Sequence, residues 1–188
     1  MRFFIIYILL LLLVIELHSQ TTDKSIYNSE DKWFISAGIG AQISGIKDED
    51  FVSSNLSPLI NITLGKQISS LITLHIGFKG FYFNYIADEL KHNYYFIYLG
   101  SSINLIDLAV NSRENKAWNL LIHTSIGIFN NTLLNKLQGC LNIGVQNNYS
   151  ISEYLALSLD ISGIIGWKIY QGDEDILPGI SLGIIHTF

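Results

Sequence analysis

His123 and Ser125 stand two residues apart in the stretch LLIHTSIGIF. An imidazole beside a hydroxyl is half of a nucleophilic pair, the ring taking the proton as the oxygen attacks. A carboxylate normally completes the set by holding the ring in one tautomer. None lies close in the chain, because no Asp or Glu occurs between residues 115 and 152. On an extended chain, side chains two apart share a face. The pair can therefore do chemistry only if that face meets a substrate.

Other ionisable residues fall at similar alternate positions: His75, Lys79, Asp160 and Lys168. Together with His123 they form a candidate polar network. Lys79 and Asp160 suit one another as an ion pair, with Asp160 the main counter-ion, since a charge out of water needs a partner. The sharper reading of the same residues is a narrow proton or ion path. The acidic stretches KDED (47–50) and GDED (172–175) offer oxygen ligands. Neither has the spacing of a calcium loop, so solvated charge is expected there. The single cysteine, Cys140, excludes an internal disulfide and a cysteine-based zinc site. No cofactor set and no metal set is visible. A net charge of -5 leaves no basic footprint for nucleic acid.

The elements that carry these residues follow from hydropathy. Arg2 precedes an apolar run at 3–15, FFIIYILLLLLVI, and small Ser19 follows. That order is a secretory signal peptide, residues 1–19, too short in its core to anchor as a ~20-residue span. Residues 20–31 are polar and read as a short leader. The domain is then 32–188.

Within it the pattern has period two. In WFISAGIGAQI the odd residues Trp33, Ile35, Ala37, Ile39, Ala41 and Ile43 share one face. Seven more segments alternate in the same way, around Ile60–Leu64, Ile72–Phe78, Tyr95–Leu105, Trp118–Ile128, Leu141–Val145, Leu155–Ile169 and Ile180–Phe188. Leu121 and Phe129 interrupt the polar face of the fifth. No helical periodicity stands out. Connections alternate in character: long or medium at 45–57, 86–92, 130–138 and 171–179, tight at 66–70 and 150–153. Only 107–117 is longer than its position suggests.

The polar face is mostly Gly, Ser, Thr and Asn, and the apolar face almost purely aliphatic and aromatic. Aromatics gather near segment ends: Trp33, Tyr82, Tyr85, Tyr94, Tyr95, Trp118, Tyr149, Tyr154, Trp167 and Tyr170. Such rings prefer the headgroup level of a bilayer. A closed barrel satisfies every backbone group in lipid and leaves no edge. The sequence therefore predicts an all-β, eight-stranded, antiparallel up-and-down transmembrane β-barrel. At eight strands, side chains fill the interior, which argues against a wide pore.

The signal peptide, the eight segments, the YSISEYLALSLDIS hairpin and the terminal Phe188 resemble the small outer-membrane β-barrel family, the OmpA-like and OmpX-like class. The likeness covers residues 32–188 and is one of architecture. The Ser-Gln cleavage site and the Ile/Asn/Lys-rich composition resemble Bacteroidota members. The resemblance implies a bacterial outer-membrane location with periplasmic N- and C-termini, and outer-membrane lipid and lipopolysaccharide as surroundings. It also implies periplasmic chaperones and the barrel assembly machinery as partners, and a monomer. The assembly signal it implies falls on Ile180, Leu182, Ile184, His186 and Phe188, where His186 replaces the aromatic often found at that position. Lipid A deacylases are barrels with a His-x-Ser arrangement, which HTS at 123–125 resembles, but the asparagine-rich surroundings of that motif are matched only loosely, in FNN. The reading is thus a non-enzymatic envelope barrel with a structural or surface-interaction role. A narrow channel or an accessory barrel of a secretion or envelope complex is the alternative, and a lipid A hydrolase the remote one.

Overall fold

A computed structural model of the chain describes residues 32–45, 55–85, 89–109, 117–170 and 174–188. The expected signal peptide and leader lie outside the described residues. Eight strands follow in order: β1 (Trp33–Ile43), β2 (Leu56–Gln67), β3 (Ile72–Tyr85), β4 (Leu90–Asn104), β5 (Trp118–Asn131), β6 (Lys136–Ser150), β7 (Leu155–Trp167) and β8 (Glu174–Thr187). Each pairs antiparallel with its neighbour in sequence, and β1 pairs β8, so the sheet closes into a barrel. At the seam Phe34 lies opposite Thr187, and Trp33 and Phe188 exchange both backbone hydrogen bonds, at 3.2 and 2.9 Å. The terminal residue is therefore part of the ladder.

One rim, here the turn rim, carries both barrel ends and the tight turns. The two turns share one design. Ile68 N and Ser69 N donate to Ile72 O, while Ile151 N and Ser152 N donate to Leu155 O. The long 107–117 connection begins with a single helical turn, α1 (Leu105–Ala109), which the period-two reading missed by extending the strand to Leu105. Asn104 starts it, its Oδ1 accepting from Ile106 N at 3.1 Å. A side-chain oxygen at a helix start satisfies a backbone donor that has no partner within the helix.

The wall sorts its side chains by parity. Outward positions stay exposed: Ile39, Leu99, Ile161 and Leu182 among many. Bands of rings flank that apolar surface. At the turn rim, Trp33 sits under Lys66, Trp118 packs on Tyr149 at 4.8 Å, and Tyr154 and Phe188 are exposed. Toward the opposite, loop rim lie exposed Trp167 and half-buried Tyr82 and Tyr95. Lys91 covers the Tyr82 ring at 3.4 Å, and Asn130 donates to the Tyr95 hydroxyl. Three of the expected band residues do not belong there. Tyr85, Tyr94 and Tyr170 turn inward and are buried.

The interior has two halves. The loop-rim half is packed with Phe83, Tyr94, Phe96, Phe129, Tyr170 and their neighbours. Rings pack face to face there: Phe83 on His92 at 4.9 Å and Tyr94 on Phe129 at 4.8 Å. Phe83, His92, Phe96 and Phe129 have no accessible surface. The turn-rim half holds instead a polar cavity of about 710 Å³.

Candidate functional site

The cavity is bordered at the turn rim by Lys32, Ser70, Asp107, Ser152 and Glu153. Inward it is lined by Ser, Thr, Asn and Gln from every strand, because those are the inward parity positions. Its floor is a cluster of ionisable side chains. Lys79 from β3 reaches across the lumen to β6 and β7, donating to Asn142 Oδ1 at 3.1 Å and to Ser162 Oγ at 2.6 Å. Ser162 in turn donates to Asp160 Oδ1 at 2.5 Å. Lys79 Nζ stands 3.7 Å from the same carboxylate oxygen. His123 from β5 brings Nε2 to 2.7 Å from Asp160 Oδ2. That contact is short but off the line of a directed hydrogen bond. His75 meets the His123 ring edge-on at 6.3 Å and Tyr98 at 6.0 Å.

Small residues on neighbouring strands make the room. His123 lies opposite Gly144, and a Cβ there would come within 2.5 Å of His123 Nε2 and 2.6 Å of the Ile161 carbonyl oxygen. Tyr98 lies opposite Gly77, whose bare backbone the ring covers. Its hydroxyl thereby reaches Asn61 Oδ1 and Thr63 Oγ1, both at 2.9 Å. Alternating large with Gly or Ser around the wall is how a narrow lumen accepts long side chains.

Of the five residues taken from the sequence as a lumen network, the structure brings together His75, Lys79, His123 and Asp160. Lys168 is corrected: it is exposed, at a backbone φ of 60° just after β7. The strand ends at Trp167, the chain turns, and parity no longer applies. Ile169 and Tyr170 then drop inward, although Ile169 alternates in the sequence as an outward residue. Their backbone N–H groups are held by Asp175, at 2.7 and 3.0 Å. Asp175 is buried as a clamp rather than solvated, which corrects the reading of GDED. KDED lies outside the described residues.

The carboxylate that HTS lacks locally comes from β7 as Asp160. The set is still not a catalytic triad, because Ser125 is fully buried and, among the described residues, its hydroxyl meets Asn142 Nδ2 at 3.5 Å rather than an imidazole. The residues that complete the floor, Asn142, Ser162 and Tyr98, were not singled out in the sequence. Their inward parity was visible; their convergence with Lys79 was not. The aromatic packing had one visible signal, Phe129 interrupting a polar face. Cys140 faces inward and is buried. Ile180, Leu182, Ile184, His186 and Phe188 line the outward face of the closing strand, all exposed.

No protein-family model and no curated protein sequence matches the chain. Among solved structures, three similar ones are outer-membrane barrels. Neisserial surface protein A superposes with a TM-score of 0.54 at 10% identity, over 85% of this chain and 100% of that one. The N-terminal β-barrel domain of Pseudomonas aeruginosa OprF gives 0.56 at 12%, over 84% and 98%. OprG from Pseudomonas aeruginosa gives 0.53 at 9%, over 84% and 96%. The fold is a closed, eight-stranded, all-antiparallel up-and-down β-barrel of the kind those outer-membrane proteins have.

Proposed function

We propose that this chain is an integral outer-membrane barrel of a bacterial envelope, closed to through-flow, whose role is structural and surface-interacting rather than catalytic. The observation that carries this reading is the packed aromatic half of the lumen. An eight-stranded wall encloses little more than side-chain volume, and here Phe83, Phe96 and Phe129 occupy that volume with no surface left. A solute entering at the turn rim meets a blind end. The exposed aliphatic wall between two aromatic bands supports a position across a bilayer. Lipid and lipopolysaccharide are then its surroundings, and the chain is a monomer there. Export on residues 1–19, delivery by periplasmic chaperones and insertion by the barrel assembly machinery fit the exposed apolar face of β8. That route places both termini in the periplasm and the loop rim outside, where surface contacts are made.

Planar-bilayer recording of the refolded mature chain tests the closed lumen. No steady single-channel steps are expected for the wild type. Steady steps from it would replace this reading with that of a channel. The double variant Phe83→Ala/Phe129→Ala is the positive control, because it removes the plug. Membrane fractionation with heat-modifiable gel migration tests the location. Hydrolysis of lipid A by the purified protein, lost in Ser125→Ala, would overturn the non-enzymatic part.

A further inference from the structure

We propose that the floor of the polar cavity is a binding site for a small oxyanion, of the size of phosphate or a simple carboxylate. Buried polar side chains in folded proteins are paired, or they hold water or an ion. Two that line this cavity, His75 and Ser102, have no hydrogen-bond partner among the described residues, and a third, His123, has for its Nε2 only the off-line contact to Asp160. His75, 8% exposed, has among the described residues the two ring contacts given above and no hydrogen bond. Ser102, 4% exposed, lies directly opposite His123 on the adjoining strand and has no hydrogen-bond partner among the described residues. His123, 5% exposed, points Nε2 at Asp160 off-line and has no other partner for that atom. All three line the same cavity. Between the two imidazoles β4 supplies Gly100 opposite His75 and Ser102 opposite His123, so no bulk separates them.

The chemistry of the set selects an anion. Each imidazole can present an N–H and the Ser102 hydroxyl an O–H, donors that suit an oxyanion. The ammonium of Lys79 behind them repels a cation. Asp160 is the one carboxylate at this depth among the described residues, and it is already engaged by Ser162, His123 and Lys79. Lys79 offsets its charge, so no uncompensated carboxylate faces the two imidazoles. A neutral sugar would want aromatic platforms, and the described lining offers only Phe34 and Tyr98 besides the imidazoles. The volume is ample: about 710 Å³ is room for roughly twenty waters at ~30 Å³ each, so the anion keeps part of its hydration. Entry is from the turn rim alone, since the aromatic half closes the other end.

The test uses the mature chain refolded in detergent micelles with labelled histidines. Inorganic phosphate is titrated against sodium chloride at equal ionic strength, and acetate forms a second arm that separates phosphate from carboxylate. The expected result is a saturable movement of the His75 and His123 resonances. Those of His92, packed in the plug, and His186, on the outer wall, stay fixed. His75→Gln should weaken binding about tenfold, the worth of one charge-assisted hydrogen bond. Ser102→Ala should weaken it several-fold, and both variants should keep heat-modifiable migration. Absence of a saturable shift would overturn the proposal. So would equal shifts with chloride, or unchanged phosphate binding in folded His75→Gln and Ser102→Ala, which would mean that the three groups hold only water.

Discussion

Replacing Asp160 by Asn keeps the side chain's shape and removes its charge. Lys79 is then left 3% exposed, with two neutral partners and no counter-ion. At 3.7 Å and an effective dielectric near 20, the lost attraction is about 4.5 kcal/mol. Water in the adjoining cavity returns part of this, and His123 still has an amide oxygen to face. A net loss of about 3 kcal/mol is expected, at the lower edge of the range for breaking a buried pair. Urea unfolding in micelles, followed by tryptophan fluorescence, should show the midpoint falling by ~1–3 M for slopes of 1–3 kcal/mol/M. A cycle with Lys79→Met isolates the pair: the double variant should be more stable than the sum of the single losses predicts. Lys168→Ala, outside the lumen, should stay within about 0.5 kcal/mol of wild type. The reasoning fails if Asp160→Asn shifts stability by less than ~0.5 kcal/mol. It also fails if Lys79→Met costs the same with and without Asp160.

Gly144→Ala places a methyl group against the Ile161 carbonyl, which belongs to the sheet and cannot move aside, and against His123 Nε2. A loss of ~1–3 kcal/mol is expected, as for overpacking. The same urea assay checks it, and an unchanged midpoint would contradict the tight wall described here. Deleting Phe188 removes both backbone bonds to Trp33, whereas Phe188→Tyr keeps them. The deletion should lower the folded, heat-modifiable fraction in membranes well below that of Phe188→Tyr. Equal, normal amounts of both would speak against a sealing role for the terminal residue. Tyr98→Phe removes the hydroxyl that joins Asn61 and Thr63. It should cost about 1–2 kcal/mol in the urea assay, and a neutral result would mean that water takes over both bonds.

The wall of this barrel was legible because one rule governs it. Parity alone assigns a strand residue to lipid-facing or lumen-facing sides, and it placed His75, Lys79, His123 and Asp160 inward. The rule fails where the strand stops. Lys168 and Ile169 exchanged sides because Lys168 adopts a left-handed backbone just past Trp167, a local choice that no periodicity carries. Tyr85, Tyr94 and Tyr170 were misread for a related reason. A ring near a strand end can face the headgroups or the lumen, and one residue of register decides between them.

What the sequence determined by itself is thus the strand set and, within the strands, which residues face inward, since both depend on neighbours two apart in the chain. What only the tertiary structure decided is how those inward residues divide along the barrel axis. Cross-lumen contacts depend on strand tilt and stagger, which bring Lys79 to Asn142, Ser162 and Asp160 from strands far away in sequence. The same stagger gathers the aromatics into one half and leaves the other half an open, polar chamber. HTS shows both sides of this: the chain placed His123 and Ser125 on one face, and the closed barrel supplied the imidazole with Asp160 while burying the hydroxyl.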